Sequence, residues 1–474
     1  MRWQSHLCRL GIVVALAAAS AGCSEPRQDI LLVVTDTVRA DRVSAYGYWR
    51  RTTPQLEALA QIGTLFEDVT APSCWTLPSH ASLFTGEPPW VHGAHRVAPG
   101  EGGGVSVNGW HVRKMRDDLP TLAERLRALG YRTVSLSANP WFSYDIGLAR
   151  GFERSETYSR SRELAIAALE EIARPRDQPL FLFVNFMDAH SPYLDGPPPW
   201  SAPSEDLAEG TAPEWLRPYL TQRVAGVDLT GADGKLPSAA LRLAMGQLEI
   251  PREGFALLGT LYDAGVVGAD FVLHQVLPVW AEASPSSAVI VTSDHGEALG
   301  DHGSLDHHFS VYPEVLRVPL VIAAPGRLPA GQRVDTPVQL QDVHDTVLDL
   351  AGVADAPRSL LRLADRDASK PRPVAAAVWP EAGMARRLGG SYAQVLHLYR
   401  EGSDALVFAG DGAELYDLDA DPLMRVDVAM RSPERVTALR ARAREHFGEA
   451  AVGEPLRVDS ATAERLRSLG YVAD

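Results

Sequence analysis

A hydroxyl residue, two carboxylates and several imidazoles stand at points of this chain where an apolar run or a turn gives way to a loop. Residues 76–86 read TLPSHASLFTG. Thr76 lies just ahead of a Pro-started helical turn, where a missing N–H is harmless, and Gly86 can end the helix in a left-handed conformation. The N-terminal dipole of such a helix would favour an anion beside Thr76, while a plain helix cap is the other reading of that hydroxyl. Asp36 follows the apolar run 30–35, placed either to ligate a cation or to cap the next helix. Ser293-Asp294-His295-Gly296-Glu297 follows another such run. Adjacent Asp and His after a buried strand can offer an oxygen and a nitrogen to one metal ion, with the glycine letting the backbone turn. Asp188 and His190 end the run 179–187, and His302, His307 and His308 come soon after the Asp294-His295 pair.

These side chains need a frame that brings them together. Continuous apolar, β-branched runs such as 30–35, 179–187 and 288–293 read as strands buried on both faces. Amphipathic stretches at 121–130 and 161–173 separate them, so the fold class is α/β, a mainly parallel central sheet flanked by helices. Ligands in such folds bind beyond the carboxyl ends of the strands, where these acids and histidines fall. Residues 195–250 are rich in Pro, Gly and acids without a period and read as an insertion facing the substrate. Residues 256–280 read as a long helix and 317–324 as a further buried strand. Beyond residue 355 the pattern changes to short strand-like pieces and a helix at 432–446. The chain therefore divides into a body at 28–355 and a smaller C-terminal α+β subdomain at 356–474.

The 474 residues are 46% hydrophobic, enough for a large core. A net charge of −15, spread without long single-sign blocks, argues against a nucleic-acid partner. Residues 1–23 carry Arg2, His6 and Arg9, an apolar run at 10–19 and then Ser20-Ala21-Gly22-Cys23. This reads as an export signal too short to span a membrane, which places the protein in a bacterial cell envelope. The segment resembles a lipoprotein signal in which Cys23 carries the lipid anchor; Ser20 replaces the usual Leu, so periplasmic release after Ala21 is the other reading. Three cysteines, two of them in or beside this signal, leave Cys74 alone in the body and rule out an intrachain disulfide framework.

The chain is identified as a member of the sulfatase family, within the alkaline phosphatase superfamily, by five ordered motifs. They are TDTVRADRVSAYG at 35–47, TLPSHASLFTG at 76–86, MDAHSPY at 187–193, SDHGEALGDHG at 293–303 and HHFSVYPEVLRVPLVIAAPG at 307–326. ELYDLDADP at 414–422 and LRSLGY at 466–471 resemble the family's C-terminal ending. The resemblance implies an alkaline phosphatase-like fold. It implies that Asp36, Thr76, Asp294 and His295 hold one divalent metal ion, with His190 and His307 facing the substrate. Oxygen-rich ligation with one imidazole suits Mn²⁺, Mg²⁺ or Ca²⁺, with Zn²⁺ also open.

Departures from the family pattern bear on the chemistry. Relatives carry Cys or Ser, oxidised to formylglycine, in a Cys-x-Pro-Ser-Arg motif; here Thr76 and His80 stand in place of the Cys and the Arg. Threonine cannot become formylglycine, and Cys74 lies two residues too early. The Gly-Lys-Trp-His stretch of relatives aligns near Ser137-Ala138-Asn139-Pro140, without its Lys and His. Relatives often have two adjacent acids at the first motif, where this chain has Thr35 before Asp36. The expectation is a metal-dependent hydrolase or transferase acting on phosphate mono- or diesters through a covalent Thr76 intermediate. His307 or His190 would act as general acid, and His80 would either share the missing arginine's work or only pack. The substrate would be a small-molecule, lipid head-group or glycan ester. The alternatives are a sulfate-ester hydrolase working without formylglycine and an inactive relative that binds anions. Arg39 and Asp41 are expected to pair, and Asn139, at a strand's end and before a proline, to make a turn, with contact to the substrate as the other reading.

Overall fold

Eight strands form the central sheet: β1 (Ile30–Thr35), β2 (Thr64–Phe66), β3 (Arg132–Ser137), β4 (Arg154–Thr157), β5 (Leu180–Phe186), β6 (Ala288–Thr292), β7 (Leu320–Ala323) and β8 (Gln332–Val334). Their order across the sheet is β8-β2-β7-β6-β1-β5-β3-β4. Every strand runs the same way except β7, which is antiparallel to both neighbours. The computed structural model describes residues 27–97, 106–107, 110–142, 146–190, 243, 249–250, 252–307, 309–363, 372–380, 393–449, 454–455 and 460. The export signal with Cys23, nearly all of the 195–250 insertion, His308 and the LRSLGY ending lie outside them.

β1 shows why the apolar runs become central strands. Its residues alternate between two cores: Ile30, Leu32 and Val34 enter one, Leu31 and Val33 the other. Each such side chain contributes roughly 1.5–3 kcal/mol by leaving water, so a strand covered on both faces needs no polar alternation. One face is covered by helices α1 (Pro54–Ile62), α4 (Ser161–Ala173) and α5 (Arg252–Ala283), and the other by α2 (Thr76–Thr85), α3 (Leu122–Ala128) and α6 (Asp342–Leu350). α3 opens with a capping box between Thr121 and Glu124. α5 is long and apolar enough to cross a membrane, yet Leu258, Tyr262, Val266, Val276 and Trp280 are buried in the core against the sheet.

α2 is buried on all sides. Gly86 ends it at φ 72°, with its N–H on Ser82 O at 2.8 Å. A Cβ added there would lie 2.6 Å from His344 Nδ1 on α6, so glycine is required twice over. The C-terminal part is an antiparallel sheet, β9 (Val374–Val378), β10 (Leu396–Glu401), β11 (Asp404–Ala409) and β12 (Gly412–Asp417), covered by helix α7 (Pro433–Phe447). It is tied to the segment that leads into α2: Ala377 N donates to Pro72 O at 3.0 Å, and the Ser73 hydroxyl donates to Ala377 O at 2.9 Å. Arg400 grips both carboxylate oxygens of Asp68 from the same sheet, at 3.0 and 2.7 Å.

Candidate active site

The neighbouring strands β6, β1, β5 and β3 deliver Asp294-His295, Asp36, His190 and Asn139 just beyond their carboxyl ends. Thr76 enters from the start of α2. It is the first residue of that helix rather than the residue before it, and its hydroxyl makes no capping bond; Trp75 is the N-cap. Instead, Asn139 Nδ2 donates to Thr76 Oγ1 at 3.2 Å and to Asp36 Oδ2 at 2.8 Å. Asn139 Oδ1 accepts from Trp141 N at 3.0 Å, which fixes the amide's orientation. Asn139 makes the expected turn, its carbonyl accepting from Phe142 N at 3.1 Å, and is at the same time a wholly buried bridge between the hydroxyl and the first carboxylate. Asn185, a polar residue inside the apolar strand β5, adds a 3.5 Å contact to Asp36 Oδ2.

Asp36, Asp294 and His295 are fully buried, and one ligand atom from each lies within 4.8 Å of the others. His295 Nδ1 faces Gly296 O at 2.9 Å; a carbonyl only accepts, so Nδ1 carries the proton and Nε2 a lone pair. Nε2 lies 3.3 Å from Asp294 Oδ2 and 3.8 Å from Asp36 Oδ1. All three of these atoms are buried without a hydrogen-bond partner. Burial pushes both carboxylic acids above their usual range, Asp294 further because Asp36 is beside it, and it holds the His295 imidazole well below its ordinary pKa. Three buried lone-pair donors facing one point are expensive alone and fit a cation.

The loop between these donors is held from several sides. Thr37 N donates to Asp294 Oδ1 at 3.3 Å, and Val38 N to Ser293 Oγ at 2.9 Å. Thr37 adopts φ 61°, a left-handed conformation strained for a β-branched residue. Tyr262 on α5 clamps it, donating to Thr37 O at 2.7 Å and accepting from Arg39 N at 2.8 Å. Thr35 turns away from the site, its hydroxyl on Thr292 O at 3.1 Å. Arg39 pairs with Asp41 through two contacts of 2.8 and 2.7 Å and with Asp301 at 2.6 Å.

His80 reaches the site from the next turn of α2, its Nδ1 3.0 Å from Thr76 O and 3.4 Å from Asp294 Oδ2. Its ring packs against Phe142 at 4.7 Å and lies near Phe84 and Phe183. Burial in that aromatic nest pushes its pKa down to about 3, so it is neutral and cannot replace a cationic arginine. His307 is the opposite case. Burial disfavours its charge, but the Glu297 and Asp306 carboxylates outweigh that and hold its pKa well above the usual imidazole range. Its ring lies 4.6 Å from that of His295 and 4.9 Å from that of His190. Cys74 is buried, and burial pushes its thiol up to about 11, which leaves no thiolate. Trp75 and Trp141 pack edge to face at 5.6 Å within the core. His302 stands apart, between Glu314 and the Met424 carbonyl.

A mainly parallel sheet gathers acids, imidazoles and a helix-borne hydroxyl at its carboxyl edge. The sulfatase family profile matches residues 28–353, and the chain belongs to that family. It is 23% identical over 460 residues to the Delta 4,5-hexuronate-2-O-sulfatase of Bacteroides thetaiotaomicron, covering 89% of this chain and 88% of that protein. A putative sulfatase from the same organism superposes with a TM-score of 0.66 at 19% identity, over 94% of this chain and 95% of the other. The phosphonate monoester hydrolase of Agrobacterium radiobacter superposes with a TM-score of 0.64 at 20% identity, over 88% and 96%.

Proposed function

We propose that the protein hydrolyses, or transfers from, phosphate mono- or diesters through a covalent ester on Thr76. The observation that carries this reading is the shared amide: Asn139 Nδ2 joins Thr76 Oγ1 to Asp36 Oδ2, beside three unsatisfied donor atoms. Asp36, Asp294, His295 and Thr76 would hold one divalent cation, with Mn²⁺, Mg²⁺ or Ca²⁺ suited to the oxygen-rich set and Zn²⁺ also compatible. Bound there, it would lower the Thr76 hydroxyl pKa and neutralise charge building on the transferred group, a contribution of several kcal/mol.

The remaining steps belong to the chain's own residues. Thr76 Oγ1 attacks phosphorus in line, Asn139 Nδ2 holds that oxygen beside Asp36, and His307 protonates the departing alcohol, with His190 beside it to orient the ester. His80 keeps its Nδ1–H on the Thr76 carbonyl and so steadies the first turn of α2. Water, or an acceptor alcohol, then displaces Thr76 from phosphorus. Phosphorus suits this second displacement, whereas formylglycine releases sulfate through a second hydroxyl on the same carbon. Threonine, a secondary alcohol, oxidises only to a ketone and has no such route.

The sulfate-ester reading is favoured by one specific observation, that relatives matched over most of their length carry the names of sulfatases. A panel of para-nitrophenyl phosphate, bis-para-nitrophenyl phosphate, para-nitrophenyl phenylphosphonate and para-nitrophenyl sulfate decides between them. The phosphorus esters are expected to turn over with kcat/KM at least about a hundredfold above the sulfate. Turnover of the sulfate ester with the phosphorus esters inert reverses the assignment.

We also place the protein in the cell envelope, held there by Cys23, on the charged, apolar and small-residue order of residues 1–23. Cys23→Ser is expected to move the protein from the membrane pellet to the soluble periplasmic fraction. Recovery of the full unprocessed chain in the cytoplasm contradicts this.

A further inference from the structure

Glu297 sits two residues beyond His295 and is wholly buried. Both of its carboxylate oxygens lie 3.3 Å from His307 Nδ1. Asp306 Oδ1 lies 3.0 Å from the same nitrogen and also accepts from His307 N at 2.7 Å. Asp306 holds this position at φ 69°, an uncommon backbone conformation for a residue with a side chain. Glu297 is itself anchored, since Arg39 donates to its carbonyl at 3.0 Å. Two acids from opposite ends of the 297–306 loop therefore converge on one ring nitrogen. The ring so held lies 4.6 Å from that of His295 and 4.9 Å from that of His190, beside the site.

We propose that Glu297, with Asp306, is the positioning residue of the general acid: it holds His307 by Nδ1–H so that Nε2–H is the proton delivered to the leaving oxygen. The inference rests on the reading of His307 as that acid. In the step, the Thr76 alkoxide bonds to phosphorus while the phosphorus–oxygen bond to the leaving group breaks. That oxygen keeps the electron pair and takes the Nε2 proton, leaving His307 neutral. In the second step water bonds to phosphorus and gives a proton back to Nε2 as the Thr76 ester opens.

A positioned acid matters most for poor leaving groups, and a merely structural glutamate does not discriminate among them. The test is kcat/KM of Glu297→Gln on methyl aryl phosphates ranging from para-nitrophenyl to phenyl. The expected loss is under about tenfold for para-nitrophenyl and at least about a hundredfold for phenyl, with the same steepened dependence in His307→Gln. Asp306→Asn, at a more exposed position, should steepen the dependence in the same direction and serves if Glu297→Gln fails to fold. A uniform loss across the series in the folded Glu297 and Asp306 variants, beside a steepened series in His307→Gln, overturns the positioning role. A uniform loss in His307→Gln instead overturns the general-acid reading itself. The same three residues also form a group able to hold a cation. Metal analysis giving one equivalent in wild type and in Glu297→Gln supports the hydrogen-bonded role, and loss of a second equivalent in the variant overturns it.

Discussion

Thr76→Ala lowers kcat by at least about 10⁴-fold on any ester the enzyme accepts, because it removes the only atom that forms the covalent intermediate. The fold tolerates the change. Thr76 Oγ1 is one of two acceptors for Asn139 Nδ2, and the 2.8 Å bond to Asp36 Oδ2 remains when the hydroxyl is gone. The buried amide is therefore not orphaned, and the stability loss should stay near that of one hydrogen bond, about 1 kcal/mol. Thr76→Ser keeps the oxygen and should retain activity within about tenfold, since the hydroxyl still starts the buried helix beside Asn139. Acid-quenched wild type should carry a phosphoryl group on Thr76, read by peptide mass spectrometry, and Thr76→Ala should carry none. Undiminished turnover by Thr76→Ala would remove the nucleophile from this account.

Much of this frame was legible because the central strands are buried on both faces. The runs that became β1, β5 and β6 need no alternation, and their abrupt polar ends put Asp36, His190 and Asp294-His295 at one edge of the sheet. The neighbouring strands β2 and β8, on one side of the sheet, have three residues each, too few to show a period. The reversed direction of β7 leaves no mark on its composition. Asn139 does make the turn that Asn before Pro suggests, its carbonyl accepting from Phe142 N at 3.1 Å; its second task was hidden because only the packing of β3 beside β5 brings its amide to Asp36. His80 was readable as a neighbour of Thr76 one turn along α2. Its neutrality was not, because Phe142 and Phe183, which desolvate it, come from other parts of the chain. Glu297 was visible in its motif, but its partner His307 lies across a loop whose left-handed Asp306 no local pattern announces.

Asp294→Asn should abolish cation binding and reduce kcat/KM by roughly 10³-fold, the scale expected when a metal's charge stabilisation of several kcal/mol is lost. Its effect on stability should have the opposite sign to the usual loss of a buried contact. Burial and the neighbouring Asp36 hold the Asp294 carboxyl well above its unfolded pKa. A raised acid binds more protons folded than unfolded, so stability falls as pH climbs from the unfolded value through the folded one. At neutral pH, above the unfolded value, the cation-free wild type carries that cost. The variant keeps an oxygen able to accept from Thr37 N and His295 N, as Asp294 Oδ1 does at 3.3 and 3.0 Å. Its amide nitrogen can donate to His295 Nε2, which lies 3.3 Å from Asp294 Oδ2. The variant should thus melt no lower than chelator-treated wild type. Wild type alone gains when a cation binds only the folded state, by about 2.7 kcal/mol at a hundredfold excess over Kd. Melting curves with and without chelator, alongside elemental analysis, test the whole ordering. A variant that retains one equivalent of metal and melts with the same metal-dependent gain as wild type would mean that the cation sits elsewhere, and that the three unsatisfied atoms of Asp36, Asp294 and His295 are not its ligands.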